Sequence, residues 1–330
     1  MHTDLVKNHV ALVLLVDYKN CNPGGDPDRD NTPRVDDETG HGLIMHVTPK
    51  RKIRDWLALQ GHGIYVSRGA CYETDRNKPI YSELGITPPP VESTETDEDE
   101  AGDDVPVAKK AKGGKKGPKA KPPSAEQAVK IYRAINGKYL DARWFGQPVP
   151  GCPGTNRGPI QFSNGESIDP VSPLRNSITR CAVATEKEAL DQNGANHTFG
   201  GVHYIPYGLY RFHIYVNPSD ARDTKLTEGD YDLFITALMS MFDHDRASGR
   251  AQSCIRALYE FKFPEKRQGP VNVERLLESV QVKRKDPERA ARSFDDYTVT
   301  IPNKVQNHKD FAFKRLVSEV NPYLDEVAAE

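Results

Sequence analysis

Residues 10–17 read VALVLLVD, a nearly continuous apolar run rich in valine and leucine. Such a run is typical of a strand buried in a sheet. Residues 20–42 follow, a stretch dense in glycine, proline, asparagine and aspartate, which favour turns and let the backbone come close to a ligand. The pattern therefore predicts a core strand that leads into a long functional loop.

The residues after this loop have the pattern of a helix. Thr48 can cap its N-terminus and Pro49 suits the first helical position, so we expect a helix from Thr48 to about Gln60. The spacing puts an apolar stripe on one face, flanked by lysines, and the other charged side chains are expected to point away from it. The stripe is Ile53, Trp56 and Leu57, the flanking lysines are Lys50 and Lys52, and the outward side chains are Arg51, Arg54 and Asp55.

The first turn of this helix is a candidate anion site. Free backbone N–H groups and the positive end of the helix dipole favour an anion such as an RNA phosphate. Lys50, Arg51 and Arg54 add positive charge and bidentate donors beside that turn. Taken alone, the helix would more often be a solvated basic face. The preceding loop favours a phosphate site over a solvated face, because it supplies groups that can follow a sugar-phosphate chain. These groups are Asn20, Asn22, Gly24, Gly25 and Arg34.

Four further segments have the alternation of strands. They are residues 63–67, 158–163, 204–216 and 254–263. Residues 182–201 are expected to form a polar excursion with a turn at Asn193-Gly194, and helices are predicted over about Glu228–Ala247 and Lys309–Ala328. This order predicts an α+β fold with a split βαβ sheet that is RNA-recognition-motif-like, or ferredoxin-like, with long insertions.

The composition says more about the expected cellular compartment of the protein than about what it binds. The 45 Lys and Arg residues against 47 Asp and Glu give a net charge of −2, so attraction to a polyanion must come from local patches. The five cysteines lie far apart without a CxxC pair, which favours reduced thiols in a cytoplasmic protein over a zinc site or a disulfide framework. The longest apolar run, Val10–Val16, is too short to span a membrane, so no membrane partner is expected.

Residues 92–121 are a charged insertion. An acidic run from Glu92 to Asp104 precedes a lysine-rich run from Lys109 to Lys121, and such a composition cannot bury a core. We expect a disordered, solvated segment in preference to a dedicated RNA-binding tail. Its GGKKG stretch lacks the Gly-Lys-Ser/Thr ending of a phosphate loop, so no nucleotide triphosphatase is indicated.

Several runs resemble one protein family, in the same order as in that family. Residues 14–57, LLVDYKNCNPGGDPDRDNTPRVDDETGHGLIMHVTPKRKIRDWL, are similar to the N-terminal signature of the CRISPR-associated protein seven family in its type I-C form. DARWFGQ (141–147), RGPIQFSNGESIDPVSPLRNSITR (157–180), HYIPYGLYRFHIYV (203–216) and MFDHDRASGRAQSCIRALYEF (241–261) resemble the same family. Together these runs hold 110 of the 330 residues and extend from residue 14 to residue 261.

The resemblance implies a palm with an RNA-recognition-motif-like sheet, an inserted finger or web domain, and a β-hairpin thumb. It also implies that copies of the protein polymerise along one guide RNA (crRNA) without cutting it. Each copy would present the guide to target DNA, together with the other subunits of a type I-C Cascade. No cofactor and no metal are implied. The palm would comprise residues 1–67, 157–181 and 202–330, the finger or web residues 68–156, and the thumb residues 182–201.

The resemblance carries over to individual residues of the palm and thumb. Val183 or Phe199 would be the apolar wedge with which the thumb displaces a nucleotide. The insertion at 92–121 departs from the family pattern and leaves the finger boundaries open. The palm residues implied to hold the guide are Asn20, Asn22, Arg34, Lys50, Arg51, Arg54, Arg157, Gln161 and Ser163.

Two other functions stay open at this point. Related backbone subunits of type III complexes cleave target RNA with an acid in the loop after strand one, where this chain has Asp26, Asp28 and Asp30. Beside proline and asparagine such aspartates are more often structural. The other alternative is a purely structural oligomerising protein that binds no RNA.

A run of possible metal ligands, residues 243–245, reads Asp-His-Asp. Consecutive positions on a helix diverge by about 100° and cannot all face one ion, so a helix-end cap or a salt bridge is the expected role. The isolated His203 and His213 are expected to pack or hydrogen-bond on strands.

Overall fold

The computed structural model describes residues 4–89, 122–183, 185–191, 198–247, 249–266 and 271–317, so the insertion at 92–121 lies outside the described residues. These residues form an α+β fold around an antiparallel sheet. The strands are β1 (Val10–Cys21), β2 (Gly25–Asp26), β3 (Thr32–Pro33), β4 (His41–Ile44), β5 (Ile160–Phe162), β6 (Gly165–Pro170), β7 (Leu174–Arg180), β8 (Thr198–Val216), β9 (Ser253–Lys262), β10 (Gln281–Arg284), β11 (Tyr297–Thr300) and β12 (Ala312–Val317). The helices are α1 (Val47–Leu59), α2 (Lys78–Glu83), α3 (Ala125–Lys138), α4 (Leu140–Phe145), α5 (Glu186–Asp191), α6 (Pro218–Thr224), α7 (Glu228–Ser240), α8 (Val273–Glu278) and α9 (Asn303–Gln306).

Within the described residues the main sheet has eight strands. Its order is β12-β9-β1-β8-β6-β4, and β5 and β7 pair with other parts of β8. Strand β1 pairs with β8 along its whole length, from Val10 opposite Val216 to Cys21 opposite Ile205. The predicted core strand is therefore confirmed, and it lies in the middle of the sheet.

The alternate side chains of β1 enter two different cores. Leu12, Leu14 and Val16 belong to the core under the helices, whereas Val13 and Leu15 belong to a second core on the opposite face of the sheet. A strand covered on both faces needs apolar residues at every position, which explains the continuous run at its start.

Helices α1 and α7 cover one face of the sheet. Ile53 and Leu57 of α1 and Phe234 and Leu238 of α7 are fully buried in the core with β1 and β8. At the start of α7 the Thr227 hydroxyl accepts from Asp230 N at 3.0 Å while the Asp230 carboxylate accepts from Thr227 N at 3.0 Å, a reciprocal cap. The predicted helix is confirmed, although it ends at Ser240 and not at Ala247.

The segment from α8 to β11 covers the opposite face. Leu277, Val280 and Phe294 pack there against Tyr259 and Phe261 of β9. The polar side chains of β8 on this face are also covered. Arg211 donates to the Val280 carbonyl, His213 Nδ1 lies 3.4 Å from Glu274, and the Tyr215 hydroxyl donates to Glu274 at 2.6 Å. In the described residues, this part of the sheet consequently has no open face.

Strand β9 confirms the predicted strand at 254–263 but departs from its alternation. Ile255 packs against the helix-side core, whereas Ala257, Tyr259 and Phe261 belong to the opposite core. The register with β1 shifts between Leu15 and Val16, where a β-bulge reverses the alternation.

Two predicted elements are wrong. Residues 63–67 do not form a strand, because Tyr65 N and Val66 N donate to the Asp141 carboxylate and not to a neighbouring strand. Residues 312–317 are not helical but form the edge strand β12, in which Phe313 stacks on Tyr259 with ring centroids 6.2 Å apart. The remainder of the predicted C-terminal helix lies outside the described residues.

The start of α1 also differs from the prediction. The helix begins at Val47 with His46 in the capping position and no side-chain cap, so Thr48 lies inside its first turn. Thr48 N donates to the Met45 carbonyl at 3.0 Å. The His46 N–H is satisfied by Asn164 Oδ1 at 2.9 Å, a partner distant in sequence.

Strand β7 pairs with the first part of β8 in an antiparallel hairpin, in the region of the predicted thumb. It runs from the pair Leu174 and Tyr204 to the pair Arg180 and Thr198, so its strands begin before residue 182. The predicted turn at Asn193-Gly194 lies outside the described residues. No helix among the residues described here has the length and apolar character to cross a membrane.

His213 supplies a pH-dependent test of the covered sheet face. Burial lowers the pKa of His213 below its ordinary value of 6.5, against the opposing effect of Glu274. The unfolded chain therefore binds more protons than the folded chain as the pH falls below about 6.5, and stability falls with it. We expect the loss of stability between pH 7.5 and pH 5.5 in urea unfolding to be smaller in His213→Gln than in the wild type. The same loss in both proteins would contradict this role, and His244→Gln, at an exposed loop position, is the control.

Candidate nucleic-acid interface

The loop after β1 is held by its own polar residues. Asn20 has a left-handed backbone, with φ of 50°. The Asn22 side chain donates to the Asn31 carbonyl at 2.8 Å and accepts from Gly24 N at 3.2 Å. Gly25 has no room for a side chain, because a Cβ there would lie 1.7 Å from Asn31 Oδ1. Asn22 thus fixes the loop conformation, whereas Asn20 is exposed at its start.

A second loop, between α7 and β9, lies against the first. Lys19 N donates to the Gln252 carbonyl at 2.9 Å and Asn22 N donates to the Gly249 carbonyl at 2.7 Å. The sequence prediction of the site missed both Lys19 and Arg246, which this contact brings to the same end of the sheet. Its available signal was the DHDRASGR run, in which glycine and basic residues precede a strand.

Three cations at this end of the sheet have no carboxylate partner among the described residues. They are Lys19, Arg34 and Arg246, and Arg246 donates to the Ala251 carbonyl at 2.7 Å. Unpaired cations beside exposed backbone are suited to a phosphate chain, because no internal ion pair has to be broken first.

Lys50 and Gln161 form a separate group beside α4. Lys50 Nζ lies 3.3 Å from Gln161 Oε1 and 5.6 Å from the centre of the Phe145 ring. Gln161 also donates to the Gly158 carbonyl at 2.8 Å. The predicted half-buried strand at 158–163 is confirmed, with Ile160 and Phe162 buried, but Gln161 is engaged within the protein.

Ser163 and Arg157 flank this group. The Ser163 hydroxyl accepts from His213 N at 2.8 Å and donates to the Asn164 carbonyl at 2.9 Å, so it completes the end of the β5–β8 pairing. Arg157 is exposed and its Nε lies 3.3 Å from Asp220 Oδ2. Of the two, Arg157 is the one with donors turned to solvent.

Arg54 does not point away from the apolar stripe of α1, and that prediction is wrong. It is 8% exposed, and its Nε donates to Asp141 Oδ2 at 3.0 Å. The Asp141 carboxylate is fully buried and needs a counter-charge, which draws the guanidinium inward. Arg51 and Asp55 do lie on the outer side, where Arg51 donates to the Val66 carbonyl at 2.9 Å.

Asp245 forms a buried ion pair with Lys52, in agreement with the predicted salt bridge. Burial lowers the pKa of Lys52, and Asp245 opposes that change. Residues 243–245 lie beyond the end of α7, so the prediction that they are helical is wrong. Among the residues that the structure describes, no group of three or more His, Cys, Asp or Glu side chains is placed to hold a metal ion.

Asp26 and Asp30, two of the three loop aspartates, have different environments. Asp26 accepts from Asp28 N at 3.2 Å and caps the 3₁₀ turn Pro27–Arg29, as expected of a structural aspartate. Asp30 instead reaches the hairpin, with its Oδ2 at 3.4 Å from His203 Nε2 and 3.8 Å from Arg175 Nη2. Asp30 therefore links the loop to the hairpin.

The two predicted wedge residues are placed only in part. Val183 is half-buried just after β7. Phe199 pairs through its backbone with Thr179, and its side chain lies outside the described residues.

The chain is thus an α+β protein built on an antiparallel sheet, with polar and basic loops gathered at one end of that sheet. The chain belongs to the Cas7 family of CRISPR-associated proteins, whose family model, described as CRISPR-associated protein Cas7, matches residues 8–302.

A curated relative and two solved structures are similar to this chain. CRISPR-associated protein Cas7 of Haloferax volcanii is 25% identical over an alignment of 243 residues that covers 68% of this chain and 61% of the relative, so the chain spans under two thirds of that protein's length. A chain of a CRISPR RNA-guided surveillance complex in a pre-nicking state has a TM-score of 0.48 at 13% identity, with 82% of each chain covered. A chain of another CRISPR RNA-guided surveillance complex has a TM-score of 0.39 at 10% identity, covering 82% of this chain and 74% of that one. Family membership therefore rests on the family model.

Asp141 should be essential for the packing of α1. Asp141→Ala leaves the buried Arg54 guanidinium and two backbone N–H groups without their acceptor, and we expect it to lower the free energy of unfolding by about 3–5 kcal/mol. Asp55→Ala is the matched control, because Asp55 pairs with arginines at the surface and should change stability by under about 1 kcal/mol. Equal effects of the two substitutions in urea unfolding would contradict the assignment.

Proposed function

We propose that this chain is a guide-RNA-binding backbone subunit of a type I-C Cascade complex, that several copies coat one crRNA, and that it does not cut RNA. The observation that supports this most directly is the meeting of two loops at the end of β1, with Lys19, Arg34 and Arg246 lacking a carboxylate partner among the described residues. A member of the Cas7 family with such a surface has the groups needed to hold a phosphate backbone.

We assign the main sheet as an RNA-recognition-motif-like palm. The order β9-β1-β8-β5, with α1 between β1 and β5 and α7 between β8 and β9, is that of a split βαβ unit. The face that such sheets commonly offer to RNA is covered here by residues 271–311. In this proposal the guide therefore follows the loops at the end of the sheet and not its face.

The finger and thumb are assigned on similar grounds. Residues 65–149 include a separate core formed by Tyr65, Ile80, Ile131 and Ile135, which supports a finger or web domain beside the palm. The β7–β8 hairpin is the thumb in this proposal, with Val183 and Phe199 kept as candidate wedge residues. Lifting a base from the stack costs a few kcal/mol, which phosphate contacts and contacts between copies would offset.

The proposed contacts divide by what each side chain is free to do. Asn20, Arg34 and Arg157, from the predicted set, would meet phosphates together with Lys19 and Arg246, whereas Lys50 is 8% exposed and bonds Gln161. Asn22, Gln161 and Ser163 would position the backbone around them, because their side chains are bonded within the protein. Arg51 borders a different surface on the outer side of α1, and Arg54 is bonded inside the protein to Asp141.

Base pairing between guide and target DNA would supply sequence recognition, since the protein holds the backbone without reading bases. The partners in this proposal are crRNA, target DNA through the guide, further copies of the chain and the other subunits of the complex. Cytoplasmic location stays a prediction, as does function without a cofactor.

Charge reversal at the loops should weaken RNA binding without unfolding the protein. We expect Lys19→Glu with Arg34→Glu to remove most co-purifying RNA and to reduce the slope of log affinity against log salt by about 2, because two phosphate contacts are lost. Absorbance ratio, filter binding and circular dichroism measure these effects. Lys283→Glu, an exposed lysine on the layer that covers the opposite face, is the control and should retain RNA. Equal RNA retention in both variants would overturn the proposed surface.

Metal-dependent cleavage of target RNA is the second candidate, favoured by one observation, the approach of Asp30 to His203. We expect the assembled wild-type complex not to cleave labelled complementary RNA in Mg²⁺ or Mn²⁺. The variants Asp26→Ala, Asp28→Ala and Asp30→Ala should therefore behave like the wild type in this assay. Regularly spaced cuts that disappear in one of these variants would establish the cleavage function instead.

A further inference from the structure

One carboxylate and two cations meet where the loop after β1 approaches the base of the β7–β8 hairpin. Asp30 Oδ2 lies 3.4 Å from His203 Nε2 and 3.8 Å from Arg175 Nη2. Arg175 and His203 are directly opposite each other in the hairpin. His203 lies two residues before Ile205, which pairs with Cys21 at the end of β1. The two cations are therefore about 7 Å farther along β8, at the same end of the sheet as the proposed RNA contacts.

The Arg175 guanidinium is near Asp30 without being bonded to it. In the same loop, the Arg29 guanidinium donates to both oxygens of Asp37, at 2.9 and 2.8 Å, which is the geometry of a strong bidentate pair. Arg175 Nη2 is 3.8 Å from Asp30, beyond hydrogen-bond distance, and the two side chains are 64% and 78% exposed. An exposed pair of this kind contributes little to stability, so an anion with better geometry can replace the Asp30 carboxylate.

Two neighbouring residues orient the cations toward this position. The Thr32 hydroxyl lies 3.3 Å from His203 Nδ1. Because a carboxylate only accepts hydrogen bonds, Nε2 carries the proton that faces Asp30, and the Thr32 hydroxyl then donates to Nδ1. Arg175 lies across Gly201 of the neighbouring strand, where a Cβ would be 2.9 Å from its Nε and 3.2 Å from its Nη2. Gly201 thus leaves the space that the guanidinium occupies.

The backbone holds Asp30 at this position. Asp30 and Asn31 both have left-handed backbones, with φ of 53° and 56°. Asn31 N donates to the Asp26 carbonyl at 2.8 Å, and the Asn31 carbonyl accepts from the Asn22 side chain at 2.8 Å. The turn is therefore fixed on both sides, while the exposed carboxylate of Asp30 can rotate into solvent without a change in the loop backbone.

We propose that Arg175 and His203 form a phosphate subsite at the base of the hairpin, and that Asp30 is an internal competitor that a phosphate group of single-stranded RNA displaces. The free oxygens of a phosphodiester accept from a guanidinium and from an imidazole N–H as a carboxylate does, and the guanidinium fork suits them. Displacement of Asp30 releases the loop from the hairpin when RNA binds. The inference rests on the proposed function and adds two contacts to it, together with a carboxylate that opposes them.

The test measures binding of a fluorescein-labelled single-stranded oligouridine to the full-length chain, after co-purified RNA is removed in high salt. Fluorescence anisotropy is recorded in EDTA at about 150 mM salt, where exposed charges more than about 8 Å apart are largely screened. We expect Asp30→Asn to tighten binding about threefold, because the competing carboxylate is lost. Asp28→Asn is the matched control. Asp28 is exposed in the same loop and has no ion-pair partner among the described residues, so its substitution should change affinity by less than about 1.5-fold.

A double-mutant cycle shows whether the Asp30 effect acts through the cations. Arg175→Gln should weaken binding about fivefold and lower the slope of log affinity against log salt by about 0.7, and Asp30→Asn in that background should give no gain. Gly201→Ala, which fills the space under the guanidinium, should weaken binding in the same direction. Gly200→Ala is its control and should bind as the wild type does, because a Cβ there would meet only Ile178 Cγ1, at an ordinary 3.7 Å.

The outcomes separate this subsite from the function on which it rests. If the wild type binds no RNA, the proposed function fails and the subsite fails with it. If the wild type binds RNA but Asp30→Asn tightens binding no more than Asp28→Asn, or tightens it equally in the Arg175→Gln background, the subsite alone is overturned. Circular dichroism is recorded for each variant, and the comparison of Asp30→Asn with Asp28→Asn decides the result if a hairpin variant unfolds.

Discussion

The buried carboxylate of Asp141 is the interaction on which the arrangement around α1 depends. It accepts from Tyr65 N at 2.7 Å, from Val66 N at 3.0 Å and from Arg54 Nε at 3.0 Å, with no exposure to solvent. These bonds join α1, the segment after it and α4, and so connect the core under the sheet to the core around Tyr65. A buried charge of this kind is stable only when all its partners are present, which is why one aspartate fixes three segments.

The bond between Arg54 and Asp141 also determines which side chains of α1 remain on its outer side. With Arg54 committed inside, Arg51, Asp55 and Leu59 are left on the outer side as the lining of a groove, while Lys50 lies toward β5 and Lys52 toward Asp245. The helix that looks like one basic face in the sequence is therefore divided among three environments.

The parts of the fold that sequence predicts correctly are those whose partners leave a periodic pattern. Strands β1, β8 and β9 and helix α7 carry such patterns because one or both of their faces are buried along their length. The errors concern contacts that have no local signal. Residues 63–67 resemble a strand but bond a distant aspartate, residues 312–317 form a strand only because β9 offers a free edge, and the bulge at Ile255 reverses a face without a change in composition.

The candidate site follows the same division. Asn20 and Arg34 were predictable from a polar loop after a buried strand, whereas Lys19 and Arg246 come to the same end of the sheet because β1 pairs with β9. Net charge gives no guide here, since carboxylates such as Asp17, Asp141 and Asp245 pair with cations inside the protein or at its edge. Burial raises the pKa of Asp17, with Arg256 opposing the rise, so even this acid is held by a local partner. At the end of β1, a polyanion would meet the cations that have no carboxylate partner among the described residues. A chain of net charge −2 can therefore present a locally basic surface to a polyanion.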